Sequence, residues 1–295
     1  MLYISKKKKA LCALAVMAVT AAGIVSAEAY NVKEMAAVEA SAETGSVEAV
    51  EENQAQAIES WRIDKNRIWL NQQQADESRE APIFIALCLH EVRDDLPDDD
   101  LALPTWKFRK IVRELKEQGY WFLDSNDIIA IKKGEMEQPD KAVFLSFDDG
   151  YVDNYTNAFP IIREEGVKAT FFLVSSLIGT PGRMTVGQLQ HMASLGMCFG
   201  SHTVNHAELD KLSAEEIEKE MNDSKYVLQH DYGVKVESIA YPCGFQSEKV
   251  VEEAQENYEI AFTASMDENT PDTTYTIHRY GVFRWNDSLA SILKN

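Results

Sequence analysis

The stretch Leu145-Ser146-Phe147-Asp148-Asp149-Gly150-Tyr151 decides the fold, because it joins a buried strand to a polar turn. The apolar run Ala142–Phe147 is typical of a buried strand, and two adjacent carboxylates and a glycine follow it directly. Neighbouring carboxylates repel each other unless a cation or a proton takes up their charge. Asp and Gly are also common in solvated turns, so the stretch by itself fits either a site or a plain turn.

A second polar stretch, Ser201-His202-Thr203-Val204-Asn205-His206, places two imidazoles four residues apart. On a helical turn this spacing puts both rings on one face, as a metal site requires. The spacing alone is a weak signal, because two surface histidines on a turn would look the same. Two histidines and one carboxylate from the Asp148-Asp149 pair would leave positions open for water and substrate, which is the pattern of a catalytic metal site.

Short apolar runs and amphipathic stretches alternate along the remaining chain, which indicates a parallel sheet with right-handed crossovers. About seven such units favour an α/β fold of the distorted (β/α) barrel type, although periodicity alone does not exclude an open sheet. The predicted strands are 82–89, 142–147, 169–174, 197–200, 238–241, 260–264 and 277–283. His90, the Asp148-Asp149 pair, His202 and Cys243 each follow a strand. We therefore expect them to converge at the carboxyl edge of the sheet.

The N-terminus predicts export. A basic stretch, Lys6–Lys9, precedes the apolar run Ala10–Val25, and small residues then suit cleavage after Ala27. An uncleaved N-terminal anchor is the alternative, although the run is short for a membrane span. The predicted domains are a signal peptide (1–27), an acidic low-complexity linker (28–60) and a catalytic domain (61–295). The predicted location is secreted or at the cell surface, with no stable membrane span after cleavage.

The composition narrows the classes of partner. Cleavage would remove four lysines and no acid, which takes the net charge from −19 to −23. A chain this acidic is a poor ligand for nucleic acid or anionic lipid, but it can bind a neutral or cationic glycan. Cys88, Cys198 and Cys243 remain after cleavage, and an odd number cannot form a complete disulfide framework. At most one internal bridge is therefore expected, with buried free thiols as the default.

The ordered motifs resemble the polysaccharide deacetylase family (NodB homology domain, carbohydrate esterase family 4). The opening stretch is similar to its TFDDG motif, Ser201–His206 matches H-[ST]-x-x-H, and Tyr241-Pro242-Cys243-Gly244 resembles R-x-P-x-G. The resemblance implies a divalent metal, usually Zn²⁺ with Co²⁺, Ni²⁺ or Fe²⁺ as alternatives. The residues implied by the resemblance are Asp149, His202 and His206 as metal ligands, Asp148 as general base, and the backbone N–H of Cys243 as an oxyanion donor.

Two departures from the family pattern point to the poly-β-1,6-N-acetylglucosamine deacetylase subgroup. The arginine that orients the base in many relatives is replaced by Ala240, and a C-terminal Leu-x-His motif is not evident. In the subgroup an early histidine enters the site, and Leu89-His90-Glu91-Val92 is similar to that segment. Arg279 also suits the subgroup. His90 is therefore the candidate general acid, with His278 as the alternative and strand-end packing as the non-functional interpretation of His90.

The predicted substrate is an amino-sugar polysaccharide, hydrolysed at its N-acetyl groups. Aromatic side chains suit pyranose rings, and the candidates are Tyr151, Tyr241, Trp285 and Trp106, each of which also fits a core or rim position. A peptidoglycan or chito-oligosaccharide deacetylase would use the same site on another polymer. A carbohydrate-binding protein without turnover is the alternative from a different class, and the complete set of catalytic residues argues against it.

Overall fold

The computed structural model describes residues 84–95, 99–264 and 272–294. The predicted signal peptide and linker lie outside the described residues, as does the start of the predicted catalytic domain. Within the described ranges, no helix is both long and apolar enough to cross a membrane.

The described strands pair in parallel, and nine of them form one sheet in the order β10-β9-β8-β7-β6-β5-β1-β11, with β4 beside the first half of β5. β2 and β3 form a separate pair. The strands are β1 (Ile85–Leu89), β2 (Glu91–Val92), β3 (Ala102–Leu103), β4 (Trp121–Leu123), β5 (Ala142–Phe147), β6 (Thr170–Leu173), β7 (Cys198–Ser201), β8 (Val236–Ala240), β9 (Ile260–Thr263), β10 (Ile277–His278) and β11 (Tyr280–Gly281).

The two ends of this strand order are joined by a single residue. β10 pairs with β9, β11 pairs with β1, and Arg279 alone separates β10 from β11. The Arg279 amide donates to Thr263 O (3.0 Å) and the Val282 amide donates to Cys88 O (2.8 Å), so hydrogen bonds continue across the seam. The sheet is therefore a nearly closed barrel, which confirms the predicted α/β barrel, and the β10–β11 segment fills the seventh strand position.

Helices connect the strands and cover the barrel. They are α1 (Thr105–Glu117), α2 (Ser125–Lys132), α3 (Phe159–Glu165), α4 (Val186–Ser194), α5 (Ala214–Tyr226), α6 (Glu248–Asn257) and α7 (Leu289–Ile292). The side chains of Asp124, Thr185 and Ser213 cap α2, α4 and α5 by accepting a backbone N–H three residues on. A π-helical turn, Asn154–Ala158, precedes α3.

Side chains of the long strands alternate between two buried layers, as the strand pleat requires. One layer lies between sheet and helices and includes Leu145, Phe147 and Tyr241. The other fills the barrel interior and includes Phe144, Phe172 and Phe262, whose rings stack or meet edge to face. Continuing the interior row of β5 past Phe144 leads to Ser146 and then Asp148, so the pleat aims the Asp148 side chain inward at the carboxyl edge.

Candidate active site

Asp149, His202 and His206 come together at the carboxyl edge of the barrel. Asp149 follows β5, while His202 follows β7 and His206 lies in the next turn. His202 Nε2 lies 3.6 Å and His206 Nε2 3.4 Å from Asp149 Oδ1. His202 Nδ1 lies 2.7 Å from Ala240 O, and in this arrangement it carries the proton and leaves Nε2 free to bind a metal. The three residues predicted as ligands therefore face one point.

Backbone strain is concentrated at this edge. The four non-glycine residues with positive φ among the described residues are Asp149 (71°), Thr203 (66°), His206 (58°) and Cys243 (57°). All four lie in the loops that carry the predicted site. Such conformations are unfavourable for residues with a Cβ and persist where surrounding contacts enforce them, typically at functional sites.

The trio fits a divalent metal. A tetrahedral centre with bonds of about 2.0–2.1 Å separates its ligand atoms by about 3.4 Å, close to the two distances measured here. Asp149 Oδ1 is buried and has no hydrogen-bond partner among the described residues, as expected for an atom reserved for a cation. Burial lowers the pKa of His202 despite two nearby carboxylates, which favours the neutral imidazole that metals bind.

The neighbouring Asp148 is held by a buried arginine. Arg279 Nη1 donates to Asp148 Oδ1 and Nη2 to Oδ2, both at 2.7 Å, and Nη1 also donates to Ser146 Oγ at 3.0 Å. Burial raises the pKa of the Asp148 carboxyl, but the charge and the hydrogen bonds of Arg279 outweigh it, so the pKa lies well below its ordinary value. Asp148 is therefore an ionised carboxylate with a fixed orientation, as a general base requires.

Many relatives have an arginine at the position of Ala240, where it orients the base. In this chain Arg279 makes that contact with Asp148 instead. The sequence singles out Arg279 only as a match to a subgroup and does not predict its contact with Asp148. Strand alternation could have suggested this contact. Ile277 belongs to the interior layer, so the side chain of Arg279, two residues later, also points into the barrel. The same alternation places His278 on the outer side of the strand. This direction argues against His278 as the general acid, and the alternative stays a prediction.

His90 lies near Asp148, directly after β1. Three atoms lie within 4.8 Å of one another: Cys88 Sγ, a ring nitrogen of His90 and a carboxylate oxygen of Asp148. Cys88 Sγ donates to Asp148 Oδ2 at 3.3 Å, and burial keeps the pKa of its thiol well above the ordinary value. A protonated thiol and a carboxylate already paired with Arg279 are poor metal ligands. The cluster suits proton transfer better than a second metal.

Comparison with known proteins gives the family. A family model described as polysaccharide deacetylase matches residues 135–260, which include the three predicted metal ligands, Asp148 and Cys243. YxkH of Bacillus subtilis (strain 168), which is classed with the polysaccharide deacetylases, is 30% identical over 186 residues, or 62% of this chain and 67% of YxkH. The chain belongs to the polysaccharide deacetylase family.

Other similar proteins carry related names. The poly-β-1,6-N-acetyl-D-glucosamine N-deacetylase of Staphylococcus epidermidis is 27% identical over 259 residues, 76% of this chain and 88% of that protein. The Streptococcus pyogenes deacetylase PplD, solved in complex with acetate, has a TM-score of 0.64 at 27% identity and covers 72% of this chain and 98% of PplD. IcaB from Ammonifex degensii shares the fold, with a TM-score of 0.59 at 23% identity over 70% of this chain and 93% of IcaB.

The predicted enzyme class is confirmed: this polysaccharide deacetylase is a hydrolase of amide bonds. The alternative of a carbohydrate-binding protein without turnover is set aside. The trio and Asp148 lie within the matched region, whereas His90 and Arg279 lie outside it.

The third motif of this deacetylase follows β8. Cys243 has a left-handed backbone (φ 57°, ψ 5°), and its side chain is exposed beside the site. Its predicted role as a backbone oxyanion donor stays a prediction. Cys88 and Cys198 are buried, and all three described cysteines are free, as expected.

The aromatic candidates of the deacetylase separate into two groups. Tyr151 is half-buried under the Arg183 guanidinium, 3.7 Å from its ring centroid, and Trp285 (54% exposed) stacks on Phe283. Trp106 is 59% exposed at the start of α1. Tyr241 is fully buried, and its hydroxyl donates to Tyr275 O at 2.9 Å. The prediction that Tyr241 binds substrate is wrong, because strand alternation sends its side chain into the sheet–helix layer.

Proposed function

We propose that this chain is a secreted, metal-dependent N-deacetylase that removes N-acetyl groups from an amino-sugar polymer of the poly-N-acetylglucosamine type. The observation that carries the proposal is the juxtaposition of the Asp149–His202–His206 trio with a base, Asp148, fixed by Arg279. Similarity to the Staphylococcus epidermidis enzyme supports this polymer, and the predicted signal peptide supports export.

Asp149, His202 and His206 would hold the cation, with Zn²⁺ as the first candidate and Co²⁺, Ni²⁺ or Fe²⁺ as alternatives. A bound divalent cation supplies Lewis acidity, which polarises the acetamide carbonyl and lowers the pKa of the attacking water. Asp148 accepts the proton of that water through the carboxylate that Arg279 orients. His90 donates a proton to the nitrogen of the leaving amine, and the Cys243 N–H offers a donor to the developing oxyanion.

The substrate side of the site has an exposed rim. Tyr151 and Trp285 are the candidates for contact with sugar rings, because both present accessible aromatic surface near or above the carboxyl edge. Arg183 fixes the Tyr151 ring and also donates to Asp149 O at 3.0 Å, so this part of the rim is tied to a metal ligand.

Acetate release from the full-length chain tests the proposal. The substrates are poly-β-1,6-N-acetylglucosamine, chitin oligomers and peptidoglycan, each with Zn²⁺ and after chelation. We expect release from the first polymer, its loss on chelation and its return on adding metal. Preference for chitin oligomers or peptidoglycan would show that the proposed polymer is wrong, but it would not contradict the proposed deacetylation reaction.

Two variants separate the roles of the site residues. Asp148→Asn should lower turnover by roughly 10²–10⁴-fold while zinc still binds. His206→Ala should lose zinc affinity as well, measured by calorimetric titration. Unchanged turnover in Asp148→Asn would contradict the mechanism. Export is checked separately, by finding the mature chain outside the cytoplasmic fraction.

A further inference from the structure

The main chain that carries His90 is held by side chains of the π-helical turn and of the residue before it. Asn154 Nδ2 donates to His90 O at 2.7 Å, and Asn157 Nδ2 donates to Val92 O at 2.8 Å. The Val92 amide donates to Asp153 Oδ1 at 2.6 Å. We call Asp153, Asn154 and Asn157 the clamp. Its three hydrogen bonds fix the three consecutive peptide groups that follow the Cα atom of His90, the candidate general acid.

Two of the three clamp residues are buried, and the clamp ties two loops of the site together. Asn154 is fully buried and Asp153 is 5% exposed. The Asp148 amide donates to Leu89 O at 2.8 Å, so hydrogen bonds reach the β1 exit on both sides of His90. The same chain segment, residues 148–157, thus supplies the base, a metal ligand and the groups that fix the acid.

Within the described part of the chain, the clamp residues leave buried polar atoms without partners, which lowers the stability of the fold. Asp153 Oδ2 and Asn154 Oδ1 are buried without a hydrogen-bond partner among the described residues. Glu91 and Arg93 are the charged groups that face Asp153. Buried polar atoms left unpaired are unfavourable, and a π turn is less regular than the α-helix it replaces. Such features are retained most readily where they place a functional group.

We propose that Asp153, Asn154 and Asn157 are positioning residues, which set the distance and direction of the His90 ring from the leaving nitrogen by fixing residues 90–92. The inference rests on the proposed function, because it takes His90 as the general acid. It assigns the three residues no contact with substrate or metal. Loss of the clamp should therefore impair proton donation and leave metal binding unchanged.

Amide and ester substrates distinguish this role from a structural one. An N-acetylglucosamine oligomer needs its leaving amine protonated, whereas 4-nitrophenyl acetate releases a stable phenolate that needs no proton. In Asn154→Ala we expect kcat on the oligomer to fall about ten- to a hundredfold with KM nearly unchanged. Hydrolysis of 4-nitrophenyl acetate and the affinity for Zn²⁺ should stay within about threefold of the parent.

Matched variants keep the test decisive. Asp153→Ala should behave like Asn154→Ala, while Asp153→Asn keeps an acceptor for the Val92 amide and should recover most amide turnover. Asn222→Ala is the control, because Asn222 is also buried with an unpaired Oδ1, but it bonds Glu253 between α5 and α6. It should lose comparable stability and keep the parent ratio of amide to ester activity.

Equal losses on both substrates in Asn154→Ala, or the same selective loss in Asn222→Ala, would overturn the positioning role. His90→Ala separates this failure from failure of the proposed function. If His90→Ala retains amide turnover, the general-acid assignment itself is wrong, and the clamp has no acid to position. If it loses amide turnover selectively and Asn154→Ala does not, only the clamp is refuted.

Discussion

Asp148 keeps an ionised carboxylate inside the barrel because Arg279 meets both of its oxygens in the same buried space. Removing one partner of a buried ion pair leaves the other charge unpaired, at a cost of about 3–5 kcal/mol. We expect Arg279→Met to lose that much unfolding free energy, measured by chemical denaturation, and to lose most deacetylation. The double variant Arg279→Met/Asp148→Asn should recover much of the stability, because it contains no unpaired charge.

A surface ion pair provides the control for this prediction. Arg113 donates to Glu165 at 2.7 Å, but its side chain is 53% exposed. Solvent screens such pairs, so Arg113→Met should cost no more than about 1 kcal/mol. A similar loss in both variants would show that burial of the Arg279–Asp148 pair does not set its contribution.

These residues also show what the sequence can and cannot reveal. Asp148 and Asp149 are adjacent in the chain, and His202 and His206 are four residues apart, so both halves of the predicted metal site are visible as local motifs. Arg279 lies 131 residues from Asp148, and the contact exists only because the barrel closes at that point. A contact of this kind has no local pattern, and only the inward direction of Ile277 could have suggested it.

Asp153 gives the fold a pH dependence of its own. Burial raises the pKa of its carboxyl to about 6, above the value of about 3.9 in an unfolded chain. The folded state therefore favours the protonated form, and the stability this contributes is present below about pH 4 and is lost as the pH rises through about 6. Between pH 4.5 and 7.5 the parent should lose about 2 kcal/mol relative to Asp153→Asn. Parallel stability curves from urea denaturation would contradict this.

At the scale of the element, β7 needs a residue without a side chain to bring His202 into place. A Cβ on Gly200 would lie 2.3 Å from Phe172 Cε1 and 2.8 Å from Ser238 Oγ. Gly200→Ala should therefore destabilise the fold by about 1–3 kcal/mol and weaken zinc binding, because β7 must shift before it reaches His202. Denaturation and zinc titration of one preparation measure both effects.

Gly187 in α4 is the matched control, because a Cβ there has nothing within 4 Å. Gly187→Ala should stabilise the helix by up to about 1 kcal/mol and leave zinc affinity unchanged. A stabilising Gly200→Ala would mean that the barrel interior is less tightly packed than the structure indicates.

The periodicity of apolar residues predicts where the strands lie better than it predicts which side of the sheet each side chain occupies. The buried runs of β1, β5, β6, β8 and β9 were all found as strands, because each is a short apolar segment between turn residues. A strand buried on both faces shows no polar alternation, so the side of the sheet that Tyr241 occupies could not be read from its neighbours. The predicted strand 277–283 is two short strands, because its halves pair with different partners.

For the whole molecule, the site depends on the barrel more than on any one motif. β5 carries Asp148 and Asp149, β7 leads to His202, and the seam between β10 and β11 supplies Arg279. The seven predicted runs correspond to β1, the strands β5 to β9 and the β10–β11 segment, whereas the short strands β2, β3 and β4 were not predicted. The closing pair β1–β11 was not predictable, because it joins segments almost two hundred residues apart with only two paired positions.

Metal binding should therefore stabilise the fold as a whole. The ligands lie after two different strands, so a cation that binds them links those strands in the folded state and has no comparable site in the unfolded chain. At a free Zn²⁺ concentration of 100 times Kd, the gain is about 2.7 kcal/mol. For a domain of this size that corresponds to an increase in Tm of roughly 5–10 °C.

Calorimetry with and without chelator measures this shift, and two histidine variants test its origin. His206→Ala removes a ligand and should abolish the increase in Tm. His230→Ala removes a ring that stacks on Tyr226 at a centroid distance of 4.3 Å, away from the trio, and should keep it. If Tm still increases in His206→Ala, the stabilising cation binds elsewhere. If the increase is lost in His206→Ala and kept in His230→Ala, the stability of the barrel depends on the cation at the proposed catalytic site.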